Sequence, residues 1–202
     1  MDFRTLPSPL WVLGTDTGVG KTFVAARIAR AWSELGPVVY RKPFQTGVDR
    51  ADHPLADQSA LAGPGILAET CMVLREPLSP LAAAEREGRT LDLAAIKEWC
   101  LAPPPPGARV LLEAAGGVLV PLAEQVHFLA WASDLGIPAV VVACGGLGTL
   151  NHTLLTCEAL MLRGWRIPAV LLNPGLDGSQ AAAAENAALL ARFLPVPVHV
   201  LA

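Results

Sequence analysis

The sequence predicts an α/β fold, a mostly parallel sheet with helices on both faces. Three observations carry that expectation. Short β-branched and leucine runs alternate with longer alanine-rich stretches of helical period, as in strand-helix-strand units. Four of the helical stretches stop at a glycine, Gly36, Gly88, Gly136 or Gly164, the residue that most easily takes the left-handed turn after a helix. Most of the strand-like runs are almost wholly apolar, as strands buried on both faces must be. No repeat or linker divides the 202 residues, so residues 1–202 are read as one domain, long enough for a real core.

The elements follow in order. The apolar run 10–14 is the first strand, and residues 21–35 have helical period up to Gly36. A second strand is expected over 38–41 and a short helical stretch around 57–62. Residues 79–87 and 91–101 give two helices, and the proline run 103–106, unable to enter a helix or a central strand, is a stiff connector into a third strand over 110–113. Helices over 129–135, 150–163 and 179–193 then alternate with strands over 139–144, 169–173 and 196–200.

Fifteen Lys and Arg against eighteen Asp and Glu leave a net charge of −3 and a pI near 5.8, which provides no basic surface for nucleic acid. Mean hydropathy of +0.44 with 16% charged residues favours compact folding. The apolar stretches are interrupted by Glu113, Gly116, Gly117, Gly145, Gly146 and Gly148, well short of the ~18 residues that span a bilayer. No membrane segment or secretory leader is expected, and the scattered Cys71, Cys100, Cys144 and Cys157 read as reduced thiols of a cytoplasmic protein.

The first strand runs into Gly14-Thr15-Asp16-Thr17-Gly18-Val19-Gly20-Lys21-Thr22 and then a helix. Such a turn lets backbone N–H groups and the positive helix end converge on phosphate oxygens; Lys21 would reach the β- and γ-phosphates and the Thr22 hydroxyl a Mg²⁺ ion. Five residues rather than four separate Gly14 from Gly20, one more than the usual phosphate-loop spacing. Farther on, Lys42 stands at the carboxyl end of the second strand, the edge where open α/β sheets bind ligands, with the Thr46 hydroxyl four residues later; on the residues alone a surface lysine before a turn is the commoner reading. Glu113 closes the third strand, where a charge is costly unless paired or bound to metal. With Thr22 and Asp57 it could complete an oxygen-rich Mg²⁺ site, although Asp49 and Asp52 compete with Asp57 for that place. Gly148-Thr149-Leu150-Asn151 precede a helix and suit either an anion or a plain N-cap by Thr149 or Asn151.

In order, GTDTGVGKT, KPFQTG, ADQSAL, PLSPLAAAEREG, LLEAAGGVLVPL, GLGTLNHT and LNPG resemble the dethiobiotin synthetase family. The resemblance implies a P-loop NTPase-like fold, usually a homodimer, that makes dethiobiotin from 7,8-diaminopelargonic acid, CO₂ and ATP with Mg²⁺. By match, Gly18, Val19, Gly20, Lys21 and Thr22 hold phosphates, and Lys42, with Lys21, is catalytic. Thr17 and Thr46 contact substrate, and Thr22, Asp57 and Glu113 are the metal ligands. Ala114, Ala115, Gly116 and Pro174 line the nucleotide, Asn173 reads its base, and Gly148, Thr149, Leu150 and Asn151 bind substrate across the subunit interface. Gly18 stands where many relatives have glutamate and Ala114 where glycine is usual, so position 114 tests whether a left-handed backbone is needed. The chain ends at Ala202, about where relatives cover the base, which implies weak base selectivity. The competing class, a partner-regulated ATPase switch, carries a lysine early in the loop where this sequence has Asp16; amidating synthases need a further domain.

Overall fold

The computed structural model describes residues 1–175 and 180–201. Its elements are β1 (Leu10–Gly14), α1 (Lys21–Ser33), β2 (Val38–Thr46), α2 (Asp57–Leu61), β3 (Ile66–Leu74), α3 (Pro80–Arg86) and α4 (Leu93–Leu101). There follow β4 (Arg109–Gly117), β5 (Pro121–Ala123), β6 (Val126–His127), α5 (Phe128–Ala132), β7 (Ala139–Cys144), α6 (Thr149–Met161), β8 (Val170–Asn173), α7 (Gln180–Leu190) and β9 (Val198–Val200). Seven strands form one sheet in the order β3-β2-β4-β1-β7-β8-β9, every neighbouring pair parallel, and β5 and β6 make a separate antiparallel ribbon.

Strand alternation divides the core. In β1, Leu10 and Val12 face one side with Val24, Ile28 and Trp32 of α1, whereas Trp11 and Leu13 face the other side with residues of α3, α4, α5 and α6. Helices therefore cover both faces, as expected. From β1 the chain crosses to β2 on one side, and from β4 it passes to β7 on the other. That reversal opens a crevice at the carboxyl ends of β1 and β4. Among the described residues no helix is long and apolar enough to cross a membrane.

Several expected boundaries move. Strand β2 continues to Thr46 rather than stopping at residue 41, because beyond Arg41 it keeps its ladder with β3 after leaving β4. Pro43 is tolerated in that one-sided stretch, where the register passes from Lys42↔Thr70 to Phe44↔Met72. Strand β3, an edge strand, is absent from the sequence reading. Strand β4 runs past Glu113 to Gly117, which pairs with Gly14 after a register shift, so Glu113 lies inside the strand rather than at its end. Ala114 is accordingly strand backbone with no positive φ; Gln125 is the non-glycine residue in that region among those described. The last helix is described from Gln180; Ser179, its expected first residue, lies outside the described residues.

Candidate active site

The loop after β1 wraps the start of α1. Gly20 occupies the N-cap position with φ +98 and no side chain caps the helix, so the first N–H groups of α1 point outward without a protein cap. Lys21 folds back over the loop, its Nζ donating to the Asp16 carbonyl at 2.8 Å. Gly14 is required beneath it, since a Cβ there would stand 2.9 Å from the Asp16 carbonyl oxygen as well as from Lys21 Cδ. Burial and, next, the nearby Lys42 cation pull the Lys21 pKa down to about 8, against the opposing carboxylates of Glu113, Asp57 and Asp16.

Lys42 is not a surface lysine before a turn. It is 3% exposed in the middle of β2. Its Nζ lies 2.6 Å from Asp57 Oδ2 and 2.7 Å from Glu113 Oε1, with a longer 3.3 Å bond to the Ala114 carbonyl. Burial lowers its pKa, and the Glu113 and Asp57 charges more than offset that, holding the ammonium above the ordinary lysine value. Thr22 Oγ1 lies 2.8 Å from Glu113 Oε1 and 2.9 Å from Asp57 Oδ1, its single proton shared between them by turns. Asp52 instead pairs with Arg50 on the exposed surface at 2.9 Å, and Asp49 lines a different cavity, whereas Asp57 stands beside Thr22 and Lys42.

The carboxylates of Asp57 and Glu113 and the Thr22 hydroxyl gather hard oxygens at the foot of the phosphate loop. The donor set fits Mg²⁺, which takes a hydroxyl and one or two carboxylates and fills its remaining positions with phosphate and water. Two side chains of this site escaped the sequence reading. Tyr40, the sole tyrosine, is fully buried and donates to Glu113 Oε2 at 2.9 Å. Burial first, and then the Glu113 charge, lift its pKa well above the usual phenol value. Its signal was position: two residues before Lys42 in a strand, it shares Lys42's face. Gln45 Oε1 accepts from the Asp57 N–H at 3.0 Å and so caps α2, which has no side-chain cap of its own.

Thr17, Gly18, Gly20, Lys21, Thr22, Lys42, Thr46, Asp57, Glu113, Ala115 and Gly116 all line one cavity of about 340 Å³. A second cavity of about 440 Å³ shares Thr17, Thr46, Ala115 and Gly116 and extends along Pro77, Leu78, Ser79 and Pro80 at the start of α3. Gly18 has φ +75, a backbone region that a glutamate would enter only with strain, although nothing lies within 4 Å of where its Cβ would stand. Val19, within the loop, and Ala114, in β4, are buried, and Asn173 and Pro174 stand at the end of β8, where the Asn173 amide meets the loop. Gly148, Thr149, Leu150 and Asn151 line neither cavity. At the start of α6, Gly148 with φ +88 holds the cap position and no side chain caps the helix; Thr149 turns inward, 3.3 Å from the Thr153 hydroxyl. The N-cap role open to Thr149 and Asn151 in the sequence is thus taken by neither.

An AAA-domain family model matches residues 9–200. The chain is 42% identical to the ATP-dependent dethiobiotin synthetase BioD of Anaeromyxobacter dehalogenans over 91% of its own length and 84% of that protein's. It is equally 42% identical to the synthetase of the same name from Mycolicibacterium vanbaalenii, over 94% of this chain and 84% of that one. Among solved structures, a ParA family ATPase from Chlorobium tepidum superposes with a TM-score of 0.59 at 14% identity, covering 95% of this chain and 81% of that chain. The septum site-determining protein MinD of Pyrococcus horikoshii, complexed with Mg-ADP, gives 0.56 at 18%, covering 95% and 79%. At those identities the two structures are alike in fold alone.

Proposed function

Because the chain belongs to the family of ATP-dependent dethiobiotin synthetases and makes dethiobiotin for biotin biosynthesis, we propose that the reaction takes place in the cavity between Lys21 and Lys42. The single observation that carries this reading is the Lys42 ammonium held between Asp57 and Glu113, directly beside Thr22 of the phosphate loop.

The substrates are 7,8-diaminopelargonic acid, CO₂ and ATP. One amine of the diamine adds to CO₂ and loses a proton, giving a carbamate whose negative charge needs a cation. Lys42 has three N–H donors, two on carboxylates and the third on the Ala114 carbonyl at 3.3 Å. The carbamate oxygen exchanges for that longest bond, which leaves the ion pairs in place. The same oxygen then takes the γ-phosphoryl group as the bond to ADP breaks, a step governed by position and positive charge, both supplied by Lys21 and the outward N–H groups of α1. Thr22, Asp57 and Glu113 would hold Mg²⁺, which when bound would supply further neutralisation of the phosphate charge. The second amine attacks the anhydride carbon and phosphate leaves, closing a five-membered cyclic urea; being intramolecular, this step needs little further help. Thr17 and Thr46 border both cavities and are placed to orient the diamine, with the α3 cavity receiving its chain.

We place the working enzyme in the cytoplasm, in keeping with four free cysteines, as one domain built on a single main sheet. It acts as a homodimer in which Gly148, Thr149, Leu150 and Asn151 of one subunit, through backbone N–H groups and the Asn151 side-chain amide, receive the substrate carboxylate above the other's phosphates. The test of the central reading is dethiobiotin formation from the diamine, bicarbonate and ATP. Lys42→Ala should lower turnover about a hundredfold or more, as loss of one charge-stabilising donor does, while ADP still binds. Full activity in that variant would remove Lys42 from the mechanism.

A further inference from the structure

A base-reading role for Asn173 leaves its observed hydrogen bonds unexplained. Asn173 Nδ2 donates to the Val19 carbonyl inside the phosphate loop at 3.1 Å, and its Oδ1 accepts from the Gly175 N–H at 3.2 Å. Its own carbonyl accepts from the Gly145 N–H at 2.6 Å, in the loop that leads to α6. Each end of the amide meets a complementary backbone group, so chemistry fixes its orientation: turned over, it would set oxygen against oxygen at Val19 and N–H against N–H at Gly175. The same amide packs on Gly20. A Cβ at Gly20 would collide with Asn173 Nδ2, and the φ of +98 there is one that glycine alone takes without strain. Asn173 therefore touches the two residues that immediately precede Lys21, from the strand end beside Cys144.

We propose that Asn173 is a positioning residue for the phosphate loop: its side-chain amide clamps Val19 and Gly20, fixing the N–H groups that open α1 and the approach of Lys21, whatever base the nucleotide carries. A loop that binds anions through backbone N–H groups gains affinity by being held in the bound shape beforehand, and a single tether on its final turn limits the conformations it would otherwise sample. The clamp rests on the reading of residues 14–22 as the phosphate site, and it goes beyond base contact because it acts on a ligand that has no base.

The experiment uses inorganic tripolyphosphate without divalent metal, titrated calorimetrically into the whole protein and into Asn173→Ala. The clamp predicts about a fivefold or greater loss of affinity, the worth of one net hydrogen bond, with ADP weakened by at least the same factor. Asn173→Ser, which keeps a short acceptor for Gly175 but does not span to Val19, is the second variant, and should show the same loss together with faster amide hydrogen exchange over residues 15–22. Unchanged tripolyphosphate affinity in the variants, with or without weaker ADP binding, overturns the clamp. If the wild-type protein itself does not bind tripolyphosphate, the phosphate-site reading falls and the clamp falls with it.

Discussion

Glu113 has no exposed surface, and each of its oxygens has a donor: Lys42 and Thr22 at Oε1, Tyr40 at Oε2. The Tyr40 bond fixes the rotation of the carboxylate, because an oxygen tethered on the far side leaves the other aimed at the loop. Tyr40→Phe keeps the ring and removes the tether. A buried acceptor left without a partner costs about 1–3 kcal/mol, so urea unfolding should show a loss of that order. The Mg²⁺ concentration for half-maximal turnover should rise severalfold at the same time; if stability falls and the Mg²⁺ requirement does not move, the Tyr40 hydroxyl serves the fold and not the metal site. Much of this residue scale was readable in advance. Lys21, Thr22, Lys42, Asp57 and Glu113 announce themselves because each is a charged or hydroxyl side chain where the sequence alone suggests a strand end or a helix start, although Lys42 and Glu113 turn out to lie within their strands. Tyr40 did not, because an aromatic residue in an apolar run is ordinarily core, and the acceptor that gives its hydroxyl a purpose lies 73 positions away.

Helix α2 is the weakest element of the site and carries one of its two carboxylates. It has five residues, with Ala56 in the cap position and no side chain there to hold its free N–H groups. The support comes from β2, where Gln45 accepts from the Asp57 N–H. So short a helix has little stability of its own, and its geometry is borrowed from the strand. Gln45→Ala should cost about 1 kcal/mol, the usual price of a lost cap, and should weaken Mg²⁺ activation by letting Asp57 drift. ADP affinity in the absence of metal should be nearly unaffected, and a loss there as large as with Mg²⁺ would argue that Gln45 acts on the nucleotide directly. The cap was illegible because it depends on how far β2 extends. The sequence places the strand end at residue 41, where pairing with β4 stops, and Pro43 reinforces that break. Pairing with β3 carries the strand on to Thr46, and β3 itself hides its pattern: Glu69, Thr70 and Cys71 interrupt the apolar residues of an edge strand that is half exposed along most of its length. The central strands β1 and β7, buried throughout or nearly so, match their expected bounds because uninterrupted apolar runs leave little choice.

At the scale of the whole molecule, the residues proposed to bind substrate divide in two. Thr17 and Thr46 face the cavity beside Lys42, whereas Gly148, Thr149, Leu150 and Asn151 open α6 without lining it. Leu147, immediately before them, is fully exposed, and Leu119 and Leu155 are more than half exposed on a neighbouring groove of about 370 Å³ that also includes Val118 and His152. Large apolar side chains gathered beside an uncapped helix start suit a contact with a second copy. If the second copy supplies that helix start, each site needs Lys42 from one chain and residue 151 from the other. A Lys42→Ala chain and an Asn151→Ala chain would each be crippled alone, because every site in either homodimer lacks one part. In a hybrid, one site combines both defects and the other has neither. Equal mixing after dissociation makes half the dimers hybrids, each with one intact site in two, so activity should recover to about one quarter of the wild-type level. Sites complete within one chain predict no recovery, since every chain in the mixture carries a defect. The readout is dethiobiotin formed per total protein before and after subunit exchange: a rise toward one quarter places residue 151 in the partner's site, and an unchanged rate places it in its own.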